Sequence, residues 1–334
     1  QAEDGIRDNG AGLVGSEMCI RDRERVEWHI REGLESFEQY FGHKPTGCWP
    51  SEGGISAATL EVLEEHGFMW AASGESVFRH SMNHDDNSAL ADASLYQAFT
   101  LEKGKLSCFF RDDGLSDLIG FTYSDWHADD AVGNLVQHLE NIAASTQAQE
   151  NPLVSIILDG ENAWEHFPEN GYYFLNTLYK KLAEHPGLKM TTYTEYLREH
   201  PQRQAVRTLV SGSWVYGTFS TWIGDTDKNR GWEMLIDAKR AFDQTVAEDS
   251  LDSEALLAAQ HQLSICEGSD WFWWFGDYNP ADSVSDFERL FRVHLSNLYS
   301  MLNRQPPEYL SHTFTRGGGE PATGGVMRRG QFTG

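Results

Sequence analysis

Short apolar runs alternate with amphipathic stretches along residues 24–205. Thr46-Gly-Cys-Trp49, Phe68-Met-Trp-Ala-Ala-Ser73, Leu106-Ser-Cys-Phe-Phe110 and Leu188-Lys-Met-Thr-Thr192 read as strands. So does Leu153-Val-Ser-Ile-Ile-Leu158, whose unbroken, partly β-branched run predicts a strand buried on both faces. Between the first two runs Ser56 is placed to cap a helix, with Ile55 and Leu60 at the positions of a hydrophobic staple and Gly67 at the stop. Residues 130–147 put Val132, Leu135, Val136, Leu139, Ile142 and Ala143 on one stripe, and residues 172–185 read as a further helix. Alternation of this kind predicts an α/β fold of parallel β/α units.

After Pro201 the pattern changes. Residues 231–248, 253–267 and 284–303 carry helical periodicity, the last with Leu290, Phe291, His294, Leu295 and Leu298 at core spacing. Segments 212–224 and 270–279, rich in Trp, Gly and Ser, read as loops. The expected organisation is a polar leader (1–23), an α/β domain (24–205), a helical C-terminal domain (206–312) and a Gly-rich tail (313–334). The leader has no apolar run, no helical period and no signal-peptide layout, and it resembles translated sequencing-adapter read-through.

Carboxylates stand at the ends of two of the expected strands. Asp159-Gly-Glu-Asn-Ala-Trp-Glu165 follows the run at 153–158, and Glu52 sits in the turn after Thr46–Trp49, each group beside a tryptophan. Parallel strands that deliver acids at their C-terminal ends are how barrel enzymes present catalytic groups. Two such acids suit glycosidic cleavage, one attacking or stabilising the anomeric carbon while the other protonates the leaving oxygen. The second acid is Asp159 in this reading, because it stands first after the strand, with Glu161 and Glu165 left open.

Gly47-Cys-Trp-Pro-Ser-Glu-Gly53, Leu158-Asp-Gly-Glu-Asn-Ala-Trp-Glu165 and Asp270-Trp-Phe-Trp-Trp-Phe-Gly-Asp277 resemble three signature regions of glycoside hydrolase family 57, in that family's order. The branch most resembled is the bacterial α-amylase/α-mannosidase-like one. The likeness spans about residues 24 to 312, including Gly212-Ser-Trp-Val-Tyr-Gly217 and Ser220-Thr-Trp-Ile-Gly224. It implies an incomplete seven-stranded β/α barrel followed by a helical domain, and a retaining mechanism with Glu52 as nucleophile and Asp159 as acid/base. It also implies an α-linked glucan or related oligosaccharide as substrate, handled by α-amylase-like hydrolysis, by 4-α-glucan transfer or by branching. Trp49, Glu161, Trp164, Trp214, Trp222, Trp273 and Asp277 are the candidate sugar contacts, although core packing accounts for the tryptophans nearly as well. The family's initial strand with a His-Gln-Pro-like segment has no counterpart here. The expectation is therefore a C-terminal portion of a longer enzyme, which by itself is either an active hydrolase or an inactive carbohydrate-binding remnant.

The formal net charge of −25 argues against nucleic acid as partner, since phosphate binding needs a basic stripe, and it is compatible with an uncharged glucan. No run approaches a membrane span. Cys48, Cys108 and Cys266, widely spaced and odd in number once Cys19 of the leader is set aside, fit reduced thiols in the cytoplasm. No cofactor or metal is expected. His80-Ser-Met-Asn-His84 has a spacing used for zinc and raises a metal-dependent polysaccharide deacetylase as a minor alternative, but no third ligand stands out. Asp225-x-Asp227-x-Asn229 lacks the Gly and Glu positions of a calcium loop.

Overall fold

The structure is a computed structural model and describes residues 18–90, 94–159 and 164–319. The chain forms two compact units that divide between Phe219 and Ser220.

The first unit carries the sheet. Helix α1 (Met18–Phe41) leads into β1 (Gly47–Cys48), and α2 (Ala57–Glu65) connects β1 to β2 (Trp70–Ser73). The local chemistry of α2 is the one its sequence predicts. The Thr59 N–H donates to Ser56 Oγ (3.1 Å), and Gly67 (φ 85°) ends the helix with Gly67 N–H to Glu64 O (3.0 Å) and Phe68 N–H to Leu63 O (3.1 Å). Helix α3 (Glu75–Met82) follows β2, then come β3 (Phe99–Leu101), β4 (Ser107–Phe110), α4 (Asp113–Phe121) and α5 (Ala128–Ser145). Helices α6 (Tyr172–Ala183) and α7 (Tyr193–Glu199) and strand β5 (Gln204–Val206) complete the unit's regular elements.

Among the described residues these strands make one five-stranded sheet in the order β1-β2-β4-β3-β5. Strands β1, β2 and β4 run parallel, with Cys48 opposite Ala71 and Ser73 opposite Phe110; β3 is antiparallel to β4 and parallel to β5. The sheet is parallel-rich and does not close on itself, the α/β architecture of an incomplete barrel. Its parallel core aims the C-terminal ends of β1, β2 and β4 the same way. Ile55, Leu60, Ala71, Val77, Cys108 and Phe110 are buried together on one side, and Ala72, Phe109, Tyr196 and Leu197 form a second cluster.

Two expected strands are absent. Residues 153–158 form no ladder, and Ile156 is exposed rather than buried on both faces. Alternation survives, since Leu153 and Ile157 pack on one cluster while Val154 and Leu158 pack on another. Side chains replace the missing ladder bonds: Ile157 O accepts from Arg111 Nε (2.9 Å), and Ile157 N–H donates to Ser116 Oγ (3.3 Å). Residues 188–192 stay irregular because their polar groups serve α7: Thr192 Oγ1 accepts from Glu195 N–H, and Lys189 pairs with Glu199.

The second unit is helical. Helices α8 (Thr226–Ala247), α9 (Ser253–Cys266), α10 (Asp270–Trp274) and α11 (Ala281–Met301) pack around Met234, Leu263, Phe272, Phe275, Phe291 and Leu295. Helix α8 begins five residues before the expected 231 because Asp225 caps it, accepting from Asp227 N–H at 2.8 Å. Residues 270–274, expected as loop, coil into α10 with Phe272 and Trp273 buried. Lys228 is also buried, donating Nζ–H to the carbonyls of Phe272 and Phe275.

Candidate active site

Glu52 stands four residues beyond β1 in the turn Ser51–Gly53, where its backbone lies in the left-handed region (φ 56°, ψ 26°). A non-glycine residue there is held by its surroundings rather than by its own preference. Trp214 does much of the holding. Its backbone N–H donates to Glu52 O (3.1 Å), and its indole Nε1–H donates to Glu52 Oε2 (2.8 Å). The loop carrying Trp214 is pinned by a reciprocal pair of backbone bonds between Ile55 and Gly212 (2.9 and 3.1 Å). On the other side of the turn, Ser73 Oγ at the end of β2 donates to Gly53 O (2.5 Å). Trp49 closes the group, its ring edge-on to Trp214 with centroids 5.4 Å apart.

Segment 153–159 docks beside the end of β4. Asp112 N–H donates to Ser155 O (2.8 Å), and the Arg111 side chain takes Ile157 O, two residues before Asp159. Asp159 itself is half-buried. Arg111 is buried, with Nη1 on Asp113 (2.8 Å), Nη2 on Asp117 (2.7 Å) and its guanidinium carbon 5.0 Å from the Trp214 ring centroid. Asp113 and Glu75 each accept at the other's helix start: Asp113 N–H donates to Glu75 Oε2 (3.2 Å) and Glu75 N–H to Asp113 Oδ1 (3.5 Å). Burial pushes the Asp113 carboxyl up to about 6, against the pull of Arg111 and with Glu75 and Asp117 adding negative charge.

Residues 17–209, more than half of the chain, match the family model described as Glycosyl hydrolase family 57. The chain belongs to that family. It is therefore a glycoside hydrolase by descent, and its fold matches those of solved enzymes. The fold is similar to a GH57-type branching enzyme from Pyrococcus horikoshii (TM-score 0.64, 17% identity, 92% of this chain and 71% of that one). It is also similar to the α-amylase AmyC from Thermotoga maritima (0.62, 17%, 86% and 65%) and a 4-α-glucanotransferase from Thermococcus litoralis (0.54, 15%, 80% and 44%). This chain thus spans less than two thirds of the length of the latter two. No curated protein matches it by sequence.

The family 57 unit at 21–219 holds Glu52, Asp159, Trp49, Trp164 and Trp214. Trp164 packs half-buried against Phe167, Phe174 and Gly171. Glu165, the alternative acid, is exposed beside His166, and Glu161 lies outside the described residues. Trp222 and Trp273 belong to the helical unit, where both are buried and pair with ring centroids 5.7 Å apart; Asp277 is exposed there. His80 lies on α3 with Nδ1 3.2 Å from Gly217 O, whereas His84 lies past that helix and pairs with Asp86. Among the described residues no group of three or more His, Cys, Asp or Glu side chains is arranged to hold a metal. Burial pushes the Cys48 thiol up to about 11 and those of Cys108 and Cys266 to about 12, so none offers a thiolate nucleophile at neutral pH. Sequence reading passed over Arg111, although Arg111-Asp-Asp113 follows an apolar strand just as Asp159 follows its run.

Proposed function

We propose that this family 57 chain cleaves α-linked glucans by double displacement, with Glu52 as nucleophile and Asp159 as general acid/base. The observation that carries the assignment is the indole of Trp214 on Glu52 Oε2. An indole N–H only donates, so it holds Glu52 Oε2 as an acceptor and fixes the orientation of the carboxyl group, as a nucleophile requires. In the first step Glu52 bonds to the anomeric carbon while Asp159 passes its proton to the departing glycosidic oxygen. In the second, the Asp159 carboxylate takes a proton from water, whose oxygen attacks the anomeric carbon and releases Glu52. A sugar hydroxyl in place of that water gives transfer instead. The likeness to a branching enzyme and a 4-α-glucanotransferase favours transfer as the second reading. Trp49 and Trp214 supply flat faces for sugar rings, with Trp164 as a further candidate.

Glu52→Gly and Asp159→Gly, assayed on an aryl α-glucoside with a good leaving group, test the roles. Each should lower turnover by about 10³-fold or more. Azide should restore product formation in both, giving the β-glycosyl azide with Glu52→Gly and the α-glycosyl azide with Asp159→Gly. Near-normal turnover in either variant removes that residue from the mechanism. Reducing-end release set against chain-length redistribution on amylose separates hydrolysis from transfer. Among the described residues no helix is long and apolar enough to cross a membrane, and free Cys48, Cys108 and Cys266 support a cytoplasmic setting.

A further inference from the structure

Arg111 makes two kinds of contact that a purely structural ion pair does not require together. Asp113 and Asp117, one turn apart on α4, take its two terminal nitrogens and fix the plane of the guanidinium. The backbone is fixed as well, since Arg111 N–H donates to Ser73 O (2.8 Å) at the end of β2. Two further contacts come from one edge and one face of the guanidinium held in this way. The edge, Nε–H, reaches the carbonyl two residues before Asp159 at 2.9 Å. The face lies 5.0 Å from the centroid of the indole whose N–H meets Glu52. One contact leads to Glu52 through the Trp214 indole, the other to Asp159 through the backbone of Ile157 and Leu158.

We propose that Arg111 is a positioning residue that sets the separation of Glu52 and Asp159, by stacking on Trp214 and by holding the Ile157 carbonyl. This rests on the catalytic roles assigned above. A lysine keeps the charge but has no planar fork, so it neutralises Asp113 and Asp117 without reproducing both other contacts. The physical basis is a matter of tolerance, because a shift of about 1 Å between reacting groups can cost about 10²-fold in rate.

The test is Arg111→Lys in the full chain, read in two ways. The first needs no turnover: the indole ¹H–¹⁵N resonance of Trp214, assigned by its loss in Trp214→Phe, should move or broaden in Arg111→Lys while the backbone amide spectrum stays dispersed. The second is kinetic. The kcat should fall by about 10²-fold with KM changed less than about threefold, and Arg111→Lys with Trp214→Phe should cost less than the product of the single losses. If Arg111→Lys does not fold, Asp117→Asn frees one prong of the guanidinium and should move the same resonance in a folded chain. An unmoved Trp214 resonance in a folded variant, or kcat within about threefold of the parent, overturns the proposal. Turnover that survives Glu52→Gly and Asp159→Gly would instead overturn the catalytic roles, and this proposal with them. Loss in those two variants with an intact Arg111→Lys would sink the positioning role alone.

Discussion

Asp113 sits where burial and charge oppose each other. Its carboxyl is buried against Arg111, with Glu75 and Asp117 as the nearby acids and Arg79 paired to Glu75 beyond them. Burial wins, and it pushes the group up to about 6 in the folded chain from an ordinary 3.8. Between those two values the folded state holds a proton that the unfolded state has lost, so stability falls as pH rises from about 4 to about 6. The size is at most about 3 kcal/mol. Other acids, such as Glu64 held down by the backbone N–H groups of Lys105 and Leu106, act in the opposite sense. The comparison that isolates Asp113 is therefore denaturant unfolding of the parent and Asp113→Asn across pH 4–7. The variant should gain on the parent as pH rises through that window and hold its gain above it. Parallel curves would mean that Arg111 keeps Asp113 ionised throughout.

At the scale of elements, the loop from Gly212 to Phe219 lies against the end of β2 because Gly74 has no side chain. A Cβ at Gly74 would stand 2.6 Å from Trp214 Cα, a backbone atom that cannot swing away. The backbone there is ordinary (φ −78°), so the requirement is one of space and not of glycine's conformational freedom. Gly74→Ala should displace Trp214 and lower kcat by tenfold or more on the estimate of about 10²-fold per ångström. The matched control is Gly33→Ala on α1, where nothing lies within 4 Å. That change should stabilise the chain by about 0.5–1 kcal/mol with activity unchanged. Equal effects from the two substitutions would contradict the packing at Gly74. This contact also marks where sequence stops being informative. Ser56, Leu60 and Gly67 announce α2 because capping and periodicity are local, and Glu52 is legible at a strand end for the same reason. The Trp214–Glu52 bond joins residues 162 positions apart, and no local pattern encodes it. The run at 153–158 shows the converse failure. Its composition predicts a strand, yet Arg111 and Ser116 take the backbone groups of Ile157 that a neighbouring strand would have paired.

For the whole molecule, 51 acidic residues against 26 basic ones leave a formal charge of −25. Exposed ion pairs such as Lys189–Glu199 and Arg207–Glu102 are screened by solvent, contribute little each, and do not cancel a general excess. Self-repulsion of that excess weakens the compact state, and salt screens it over a Debye length of about 10 Å at 0.1 M. The Tm at pH 7 should therefore rise when NaCl goes from about 10 mM to about 0.2 M, and the rise should shrink toward pH 5 as carboxylates protonate. A neutral glucan feels none of this, so KM measured over the same salt range should stay flat. The two readouts separate cause from site. A rising Tm with a constant KM places the charge on the fold's surface and supports an uncharged substrate. A KM that climbs with salt would mean the substrate is drawn in by charge, and the α-glucan assignment would have to give way to a cationic saccharide.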